Sequence, residues 1–315
     1  MGGLTTVVVL AVALSAVLDA RDAGRLPAGG ELVELSDGRM LHVQVAGEQH
    51  TGVTVLLDAG HGMFSPAFAW LYDELSAVAT VVSYDRPGYG WSDAADRPVS
   101  AEGTAADLHD ALRARGLSGP YVLVGHSLGG LYVRAFADRY RDDVAGLVLL
   151  DPAHEDQLEH LPADTVAQME QMNRVTAWGS RLARLGVFRL HNPQDAILAD
   201  LPDTAADQFA ARSATAGYWR ATAIEGAAFS DLAAAVPADF DGLPVRIVSA
   251  PTPLPDGQNM RAAMDTLNRE LASRSPLATH EEVAGADHLT LLTDPDHARE
   301  VSRIVADLLQ DVGLH

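Results

Sequence analysis

The feature that most constrains this chain is a glycine-rich turn, Gly-His-Ser-Leu-Gly-Gly, at residues 125–130. Residues 121–124 are an apolar run that predicts a buried strand, and residues 128–140 carry apolar residues at helical spacing. A serine at the apex of such a turn has a strained, exposed backbone, and glycines are needed on both sides because side chains would clash. The pattern predicts a nucleophile, Ser127, and an oxyanion donor, the backbone N–H of Leu128 at the start of the helix.

Composition limits the classes of partner. The chain has 315 residues, enough for one large core, and we expect a single α/β domain with an insertion. A formal net charge of −21 argues against nucleic acid and against anionic membrane surfaces as partners. The absence of cysteine from the sequence excludes disulfides, thiolate metal sites and a cysteine nucleophile.

Strand and helix signals alternate along most of the chain, which predicts a largely parallel sheet. The strands are predicted at residues 31–35, 40–46, 53–58, 80–84, 121–124, 144–150, 243–250 and 278–283. The helices of this part are predicted at residues 70–78, 101–115, 128–140, 259–273 and 295–310. Between residues 153 and 236 the strand signals disappear and the pattern is helical.

The N-terminal apolar segment, residues 4–18, is fifteen residues long. A membrane-spanning helix needs about 20 apolar residues, whereas a signal-peptide core has about 7–15 but usually follows basic residues, which residues 1–3 lack. We favour a membrane anchor, with a signal peptide or a helix packed on the protein as alternatives. The predicted location is therefore membrane-associated or secreted through this segment, and otherwise cytoplasmic.

Three motifs in order carry a resemblance to a known family. They are Tyr-Asp-Arg-Pro-Gly-Tyr-Gly-Trp-Ser at residues 84–92, the turn at residues 125–130, and Leu-Val-Leu-Leu-Asp-Pro at residues 147–152. The chain resembles the serine-esterase-like branch of the α/β-hydrolase fold. The resemblance implies a mostly parallel eight-stranded sheet with helices on both faces and a helical lid.

The resemblance also implies domain boundaries. Residues 1–30 would be the apolar segment and a linker, residues 31–152 and 237–315 the hydrolase core, and residues 153–236 the lid. Methionine and aromatic side chains in the lid would either form its own core or line an apolar mouth.

A serine nucleophile needs an adjacent base, and His288 is the best candidate among 12 histidines. It follows the last predicted strand in the context Gly-Ala-Asp-His, and the order serine, acid, histidine is that of the resembled fold. The acid is open between two carboxylates. Asp256 follows the strand that usually precedes the acid, but it comes late, after a Pro-Thr-Pro run; Asp151, at the end of the strand after the turn, is the displaced position of related dehalogenases, and we favour it.

The remaining site residues come from the loop after the third strand and from the lid. By position in the resembled fold, the His61 backbone N–H would be the second oxyanion donor, while its side chain would either line the pocket or face solvent. We expect the substrate to be contacted by His126, Gly60, Gly62, Met63 and Trp178.

The combined features predict a serine hydrolase without metal or cofactor. The favoured activity is a carboxylesterase that cleaves small, hydrophobic esters through an acyl-enzyme. The alternatives are cleavage of another bond (lactone, thioester, amide or C–C) and a non-catalytic, ligand-binding member of the fold, because one fold hosts many activities.

Overall fold

Eight strands form one sheet in the computed structural model, which describes residues 2–254 and 258–313. The strands are β1 (Glu31–Glu34), β2 (Met40–Ala46), β3 (Thr54–Asp58), β4 (Thr80–Tyr84), β5 (Tyr121–His126), β6 (Val144–Leu150), β7 (Val245–Ser249) and β8 (Ala278–Glu282). Their spatial order is β1-β2-β4-β3-β5-β6-β7-β8. β2 is antiparallel to β1 and β4, and the other neighbours are parallel. The predicted fold class, a mostly parallel eight-stranded sheet, is confirmed.

The helices follow in chain order: α1 (Gly2–Arg25), α2 (Ala69–Ser76), α3 (Ala101–Ala114), α4 (Gly129–Arg139), α5 (Gln157–His160), α6 (Ala163–Arg184), α7 (Val187–Leu190), α8 (Asp195–Leu198), α9 (Asp203–Ser213), α10 (Ala216–Ala227), α11 (Phe229–Ala234), α12 (Gln258–Ser273), α13 (Thr290–Thr293) and α14 (Pro295–Asp311). Short 3-10 turns lie at Ser65–Phe68 and Arg141–Asp143. The predicted strands and core helices agree with these bounds to within two residues.

Alternation along the strands builds one apolar core on each face of the sheet. In β5, Val122 and Val124 belong to the core that contains α2 and α14, whereas Leu123 belongs to the core that contains α3 and α4. Successive side chains of a strand point to opposite faces, so a strand covered on both faces is apolar throughout. Every residue of β3, β4 and β5 is buried for this reason.

The expectation that residues 4–18 place the protein at a membrane is wrong. They belong to α1, and none of the helices in the described ranges combines the length and apolar character that a bilayer crossing requires. The apolar stretch ends at Leu18, and Asp19, Arg21 and Asp22 follow at once. The charged end of α1 instead contacts α7, where Arg189 donates to Asp19 and Asp22.

Residues 153–236, called the insertion below, contain the seven helices α5–α11 and no strand. The insertion packs directly on the loop after β3. Phe209 of α9 stacks on Phe64 with ring centroids 4.4 Å apart, and the Tyr218 hydroxyl of α10 donates to the Gly62 carbonyl at 2.8 Å. Whether the insertion acts as a lid with the predicted boundaries stays a prediction.

Candidate active site

Ser127 occupies a tight turn between β5 and α4. Its φ of +52° lies in the left-handed region that non-glycine residues seldom adopt. The surrounding glycines are needed for space: a Cβ on Gly125 would lie 2.6 Å from the Gly129 carbonyl oxygen, and one on Gly129 would lie 2.2 Å from that of Asp58. The backbone therefore presents Ser127 at the apex of the turn, with its side chain at the surface of a cavity.

Parallel strands bring three distant residues to the same edge of the sheet. Ser127 follows β5, Asp151 follows β6, and His288 lies beyond β8. Since the carboxyl ends of parallel strands share one edge, residues that are far apart in sequence meet there. All three line one cavity.

The Asp151 carboxylate lies between two cationic or ionisable groups. His288 Nδ1 is 2.6 Å from Asp151 Oδ2, and Nη1 of Arg261, on α12, donates to both carboxylate oxygens at 2.7 and 2.9 Å. Burial of Asp151 would raise its pKa, but the hydrogen bond from His288 and the charges of His288 and Arg261 lower the pKa to about 2. Asp151 is therefore ionised at neutral pH, as a group that orients a histidine must be. The rival acid, Asp256, lies outside the described residues.

His126 lies beneath His288 and holds its backbone. The His126 Nε2–H donates to the His288 carbonyl at 2.8 Å, and the ring centroids are 4.6 Å apart. Burial and the nearby charge of His288 lower the pKa of His126 to about 3, so this ring is neutral at physiological pH. Its side chain is fully buried, which makes it a support for His288 rather than a contact for a ligand.

Two backbone N–H groups are available beside Ser127. In the described part of the chain, neither the Leu128 N–H nor the His61 N–H donates to another protein group. Both residues line the cavity. The His61 ring is tied back by its Nε2–H, which donates to the Thr222 carbonyl of α10 at 2.8 Å.

The cavity above Ser127 has a volume of about 200 Å³ and a mostly apolar wall. The insertion supplies Met169, Asn173 and Phe229, and the segment after β7 with α12 supplies Leu254, Met260 and Met264. Methionine side chains adapt their shape, so the wall can accommodate more than one apolar group.

None of the five predicted substrate contacts lines this cavity: His126 lies beneath His288, and the other four lie in the core, beside Ser127 or at the surface. Met63 is buried in the core with 3% exposure, and Trp178 is 61% exposed on α6 beside the Arg181 guanidinium. Gly60 and Gly62 belong to the backbone next to Ser127: a Cβ on Gly60 would lie 3.2 Å from Ser127 Cβ. We therefore correct these four positions to supporting or peripheral ones, as His126 was above.

Two charged residues of the cavity wall were not predicted from the sequence. Arg261 carries no local motif, and its contact with Asp151 spans 110 positions. Glu225 of α10 is fully buried and accepts from Arg86 of the loop after β4. A carboxylate within the apolar run Ala-Ile-Glu-Gly-Ala-Ala-Phe was the available signal, because a buried acid needs a partner.

Comparisons with known proteins agree with this architecture. A relative from Schizosaccharomyces pombe, an uncharacterized protein, is 33% identical over 155 residues, covering 41% of this chain and 29% of the relative. Epoxide hydrolase 3 of Xenopus tropicalis is 35% identical over 121 residues, covering 37% of this chain and 32% of that protein. The chain thus spans less than half the length of these curated relatives.

A solved structure, a thermophilic esterase from Thermogutta terrifontis, superposes with a TM-score of 0.62 at 22% identity, over 90% of this chain and 98% of the esterase. At that identity the likeness concerns the fold alone. The family model described as "Alpha/beta hydrolase family" matches residues 6–303, nearly the whole chain. With the sheet order and the turn at Ser127, this match shows that the chain belongs to the alpha/beta hydrolase family.

Proposed function

We propose that this protein is a serine hydrolase, a carboxylesterase for small, hydrophobic esters. The observation that supports this most directly is the 2.6 Å contact between His288 Nδ1 and Asp151 at the edge of the cavity that Ser127 enters. A carboxylate on Nδ1 leaves Nε2 as the basic nitrogen of the ring, which is the arrangement that a serine nucleophile requires.

In the proposed reaction, Ser127 Oγ bonds to the ester carbonyl carbon while its proton passes to His288 Nε2. The carbonyl oxygen becomes an oxyanion that accepts from the Leu128 and His61 backbone N–H groups. Collapse of this intermediate breaks the bond to the alcohol, which takes the proton from His288 and leaves. Water then attacks the acyl-enzyme with His288 as base, and the acid and free Ser127 are released.

The size and lining of the cavity favour an ester with a small acyl or alcohol group. Its volume of about 200 Å³ is below the ~300–1,000 Å³ of sites for drug-sized ligands. Its carboxylates are already engaged within the protein, Asp151 with Arg261 and Glu225 with Arg86, and among the described residues only Nη2 of Arg261 is left as a charged lining donor without a partner. A neutral, apolar group therefore fits the wall better than an ionic one.

The test is hydrolysis of p-nitrophenyl esters of increasing acyl length, with labelling by a fluorophosphonate. We expect kcat/KM to be greatest for acyl chains of about two to six carbons, and a stoichiometric label on Ser127. The matched variant Ser127→Ala should lose both the label and the turnover.

Other outcomes point to the other candidate functions. Labelling without ester turnover would contradict the carboxylesterase and favour a lactone, thioester, amide or C–C substrate, to be found with a panel of such compounds. Failure of the wild-type protein to label would contradict a serine nucleophile and favour a ligand-binding member of the family.

A further inference from the structure

A buried arginine holds the peptide between Gly60 and His61 through the Gly60 carbonyl. Arg86, in the loop after β4, donates from Nη2 to the Gly60 carbonyl at 2.8 Å and from Nη1 to the Ala59 carbonyl at 2.5 Å. Its side chain is 3% exposed. Two successive carbonyls of the loop that carries the proposed oxyanion donor thus share one guanidinium.

Arg86 is itself held on two sides. Its Nη1 donates to Asp58, the last residue of β3, at 2.7 Å. Its Nε and Nη2 donate to the two carboxylate oxygens of Glu225 at 2.8 and 3.1 Å. A planar guanidinium bound by a carboxylate through two parallel hydrogen bonds has little rotational freedom.

Other hydrogen bonds hold the Glu225 carboxylate in the position from which it contacts Arg86. The hydroxyl groups of Tyr89 and Tyr132 donate to its carboxylate at 2.8 and 3.0 Å. Burial would raise the pKa of Glu225, but the charge of Arg86 keeps the pKa below its ordinary value. The insertion therefore contributes an ionised carboxylate that fixes Arg86 against the loop.

The geometry of a peptide bond connects these contacts to the reaction. The Gly60 carbonyl and the His61 N–H belong to one planar trans unit, so they point in opposite directions. Because Arg86 fixes the Gly60 carbonyl, it also fixes the His61 N–H, which points away from the guanidinium; His61 is a lining residue of the cavity. Gly60 has no side chain that could provide this restraint.

We propose that Arg86 is a positioning residue of the oxyanion hole, which orients the Gly60–His61 peptide so that its N–H meets the substrate oxyanion. The inference rests on the proposed serine-hydrolase function. It adds a role for the insertion, because Glu225 of α10 holds Arg86 in place. The same helix holds the far end of the loop through the bond from Tyr218 to the Gly62 carbonyl.

The test compares Arg86→Lys and Arg86→Met with Arg134→Lys as matched control. Arg134 is also buried and also pairs with a carboxylate, Glu155, but its hydrogen bonds do not reach the loop after β3 that carries the proposed oxyanion donor. Steady-state kinetics on the best p-nitrophenyl ester would be normalised to the number of sites that a fluorophosphonate labels at completion. This normalisation removes any loss caused by misfolded protein.

The second readout is the ratio of two inhibition constants, for a trifluoromethyl ketone that forms a tetrahedral adduct with Ser127 and for the matching methyl ketone. We expect Arg86→Met to lower kcat per labelled site by about 100-fold, with little change in KM. The inhibition constant of the trifluoromethyl ketone should rise in parallel, relative to that of the methyl ketone. Arg86→Lys should retain part of the activity, because an ammonium group can reach only some of the same acceptors. Arg134→Lys should leave the ratio unchanged.

The inference would be overturned if folded Arg86 variants kept the wild-type kcat per labelled site and the wild-type ratio of inhibition constants. In that case, turnover by the wild type would still support the esterase. Absence of turnover and of labelling in the wild type would instead refute the proposed function. Should both Arg86 variants fail to fold, Glu225→Gln decides, since it keeps the shape but removes the charge that holds Arg86. We expect a several-fold decrease in kcat for Glu225→Gln, and no decrease would contradict the proposal.

Discussion

At the scale of single residues, Asp151 has two neighbours that make different demands on it. In the proposed reaction the carboxylate orients the His288 ring, whereas Nη1 of Arg261 donates to both carboxylate oxygens. The backbone of Asp151 has a φ of +41°, a conformation that aspartate tolerates better than most residues. The strand end therefore places the carboxylate where both partners can reach it.

The substitution Asp151→Asn should lower kcat by about 10⁴-fold, because an amide cannot stabilise the imidazolium and favours the wrong tautomer of His288. Ester kinetics normalised to labelled sites measure the effect. The matched variant Asp256→Asn should stay within about twofold of wild type, since it removes a carboxylate without a proposed role. The opposite ranking of the two variants would transfer the role of the acid to Asp256.

Asp151 should also make the stability depend on pH. Its pKa falls from an ordinary 3.8 to about 2 in the folded protein, so its contribution is complete above pH 3.8 and disappears as the pH falls through about 2. That shift corresponds to about 2 kcal/mol in the free energy of unfolding. The free energy of unfolding, measured with urea for wild type and Asp151→Asn between pH 7 and pH 3, should differ between the two proteins by an amount that decreases only below about pH 4. A difference that stays constant down to pH 3 would contradict this assignment.

At the scale of elements, the turn between β5 and α4 depends on close backbone contact with β3. Gly129→Ala would bring a Cβ to 2.2 Å from the Asp58 carbonyl oxygen, a backbone atom that cannot move alone. We expect a loss of at least about 2 kcal/mol in the free energy of unfolding, together with a displaced Ser127. Gly24→Ala in α1 is the control, because no described atom outside its own stretch of helix lies within 4 Å of its Cβ position, and it should be neutral or stabilising. Equal effects at the two positions would show that helix propensity, not the contact with β3, governs Gly129.

The insertion helix α10 contributes more to the site than a cover. Its buried residues Tyr218, Thr222 and Glu225 lie at helical spacing, the first two against the loop after β3 and Glu225 against Arg86 of the loop after β4. Their contacts reach Gly62, His61 and, through Arg86, Gly60. The position of one helix therefore affects the whole backbone segment on which the proposed oxyanion hole depends.

At the scale of the whole molecule, the net charge of −21 should act against the folded state. Like charges repel more strongly in the compact chain than in the unfolded one, and salt screens this repulsion. We expect the Tm, followed by differential scanning fluorimetry, to rise as NaCl increases from about 20 to 500 mM. A steady decrease would show that surface ion pairs outweigh the net repulsion.

The predicted strands were correct because burial on both faces leaves a direct record, an apolar run bounded by turn residues. The membrane location was wrong because no helix of the described residues is long and apolar enough to cross a bilayer. The contacts that α1 makes instead, such as the pairs of Asp19 and Asp22 with Arg189, join residues far apart in sequence and leave no local pattern. Trp178 was expected at the cavity because helical periodicity in the insertion cannot show which face meets the core. Arg261 and Glu225 were missed because ion pairs between distant residues leave no periodic pattern.

The sequence by itself determined the order of strands and helices, the steric character of the turn at Ser127, and the family resemblance, because each depends on residues that are neighbours along the chain. Only the tertiary structure decided that Asp151 meets both His288 and Arg261, and that Arg86 lies behind the Gly60–His61 peptide. Such contacts depend on how strand ends and the insertion come together in space, and no local pattern of residues encodes a distance between them.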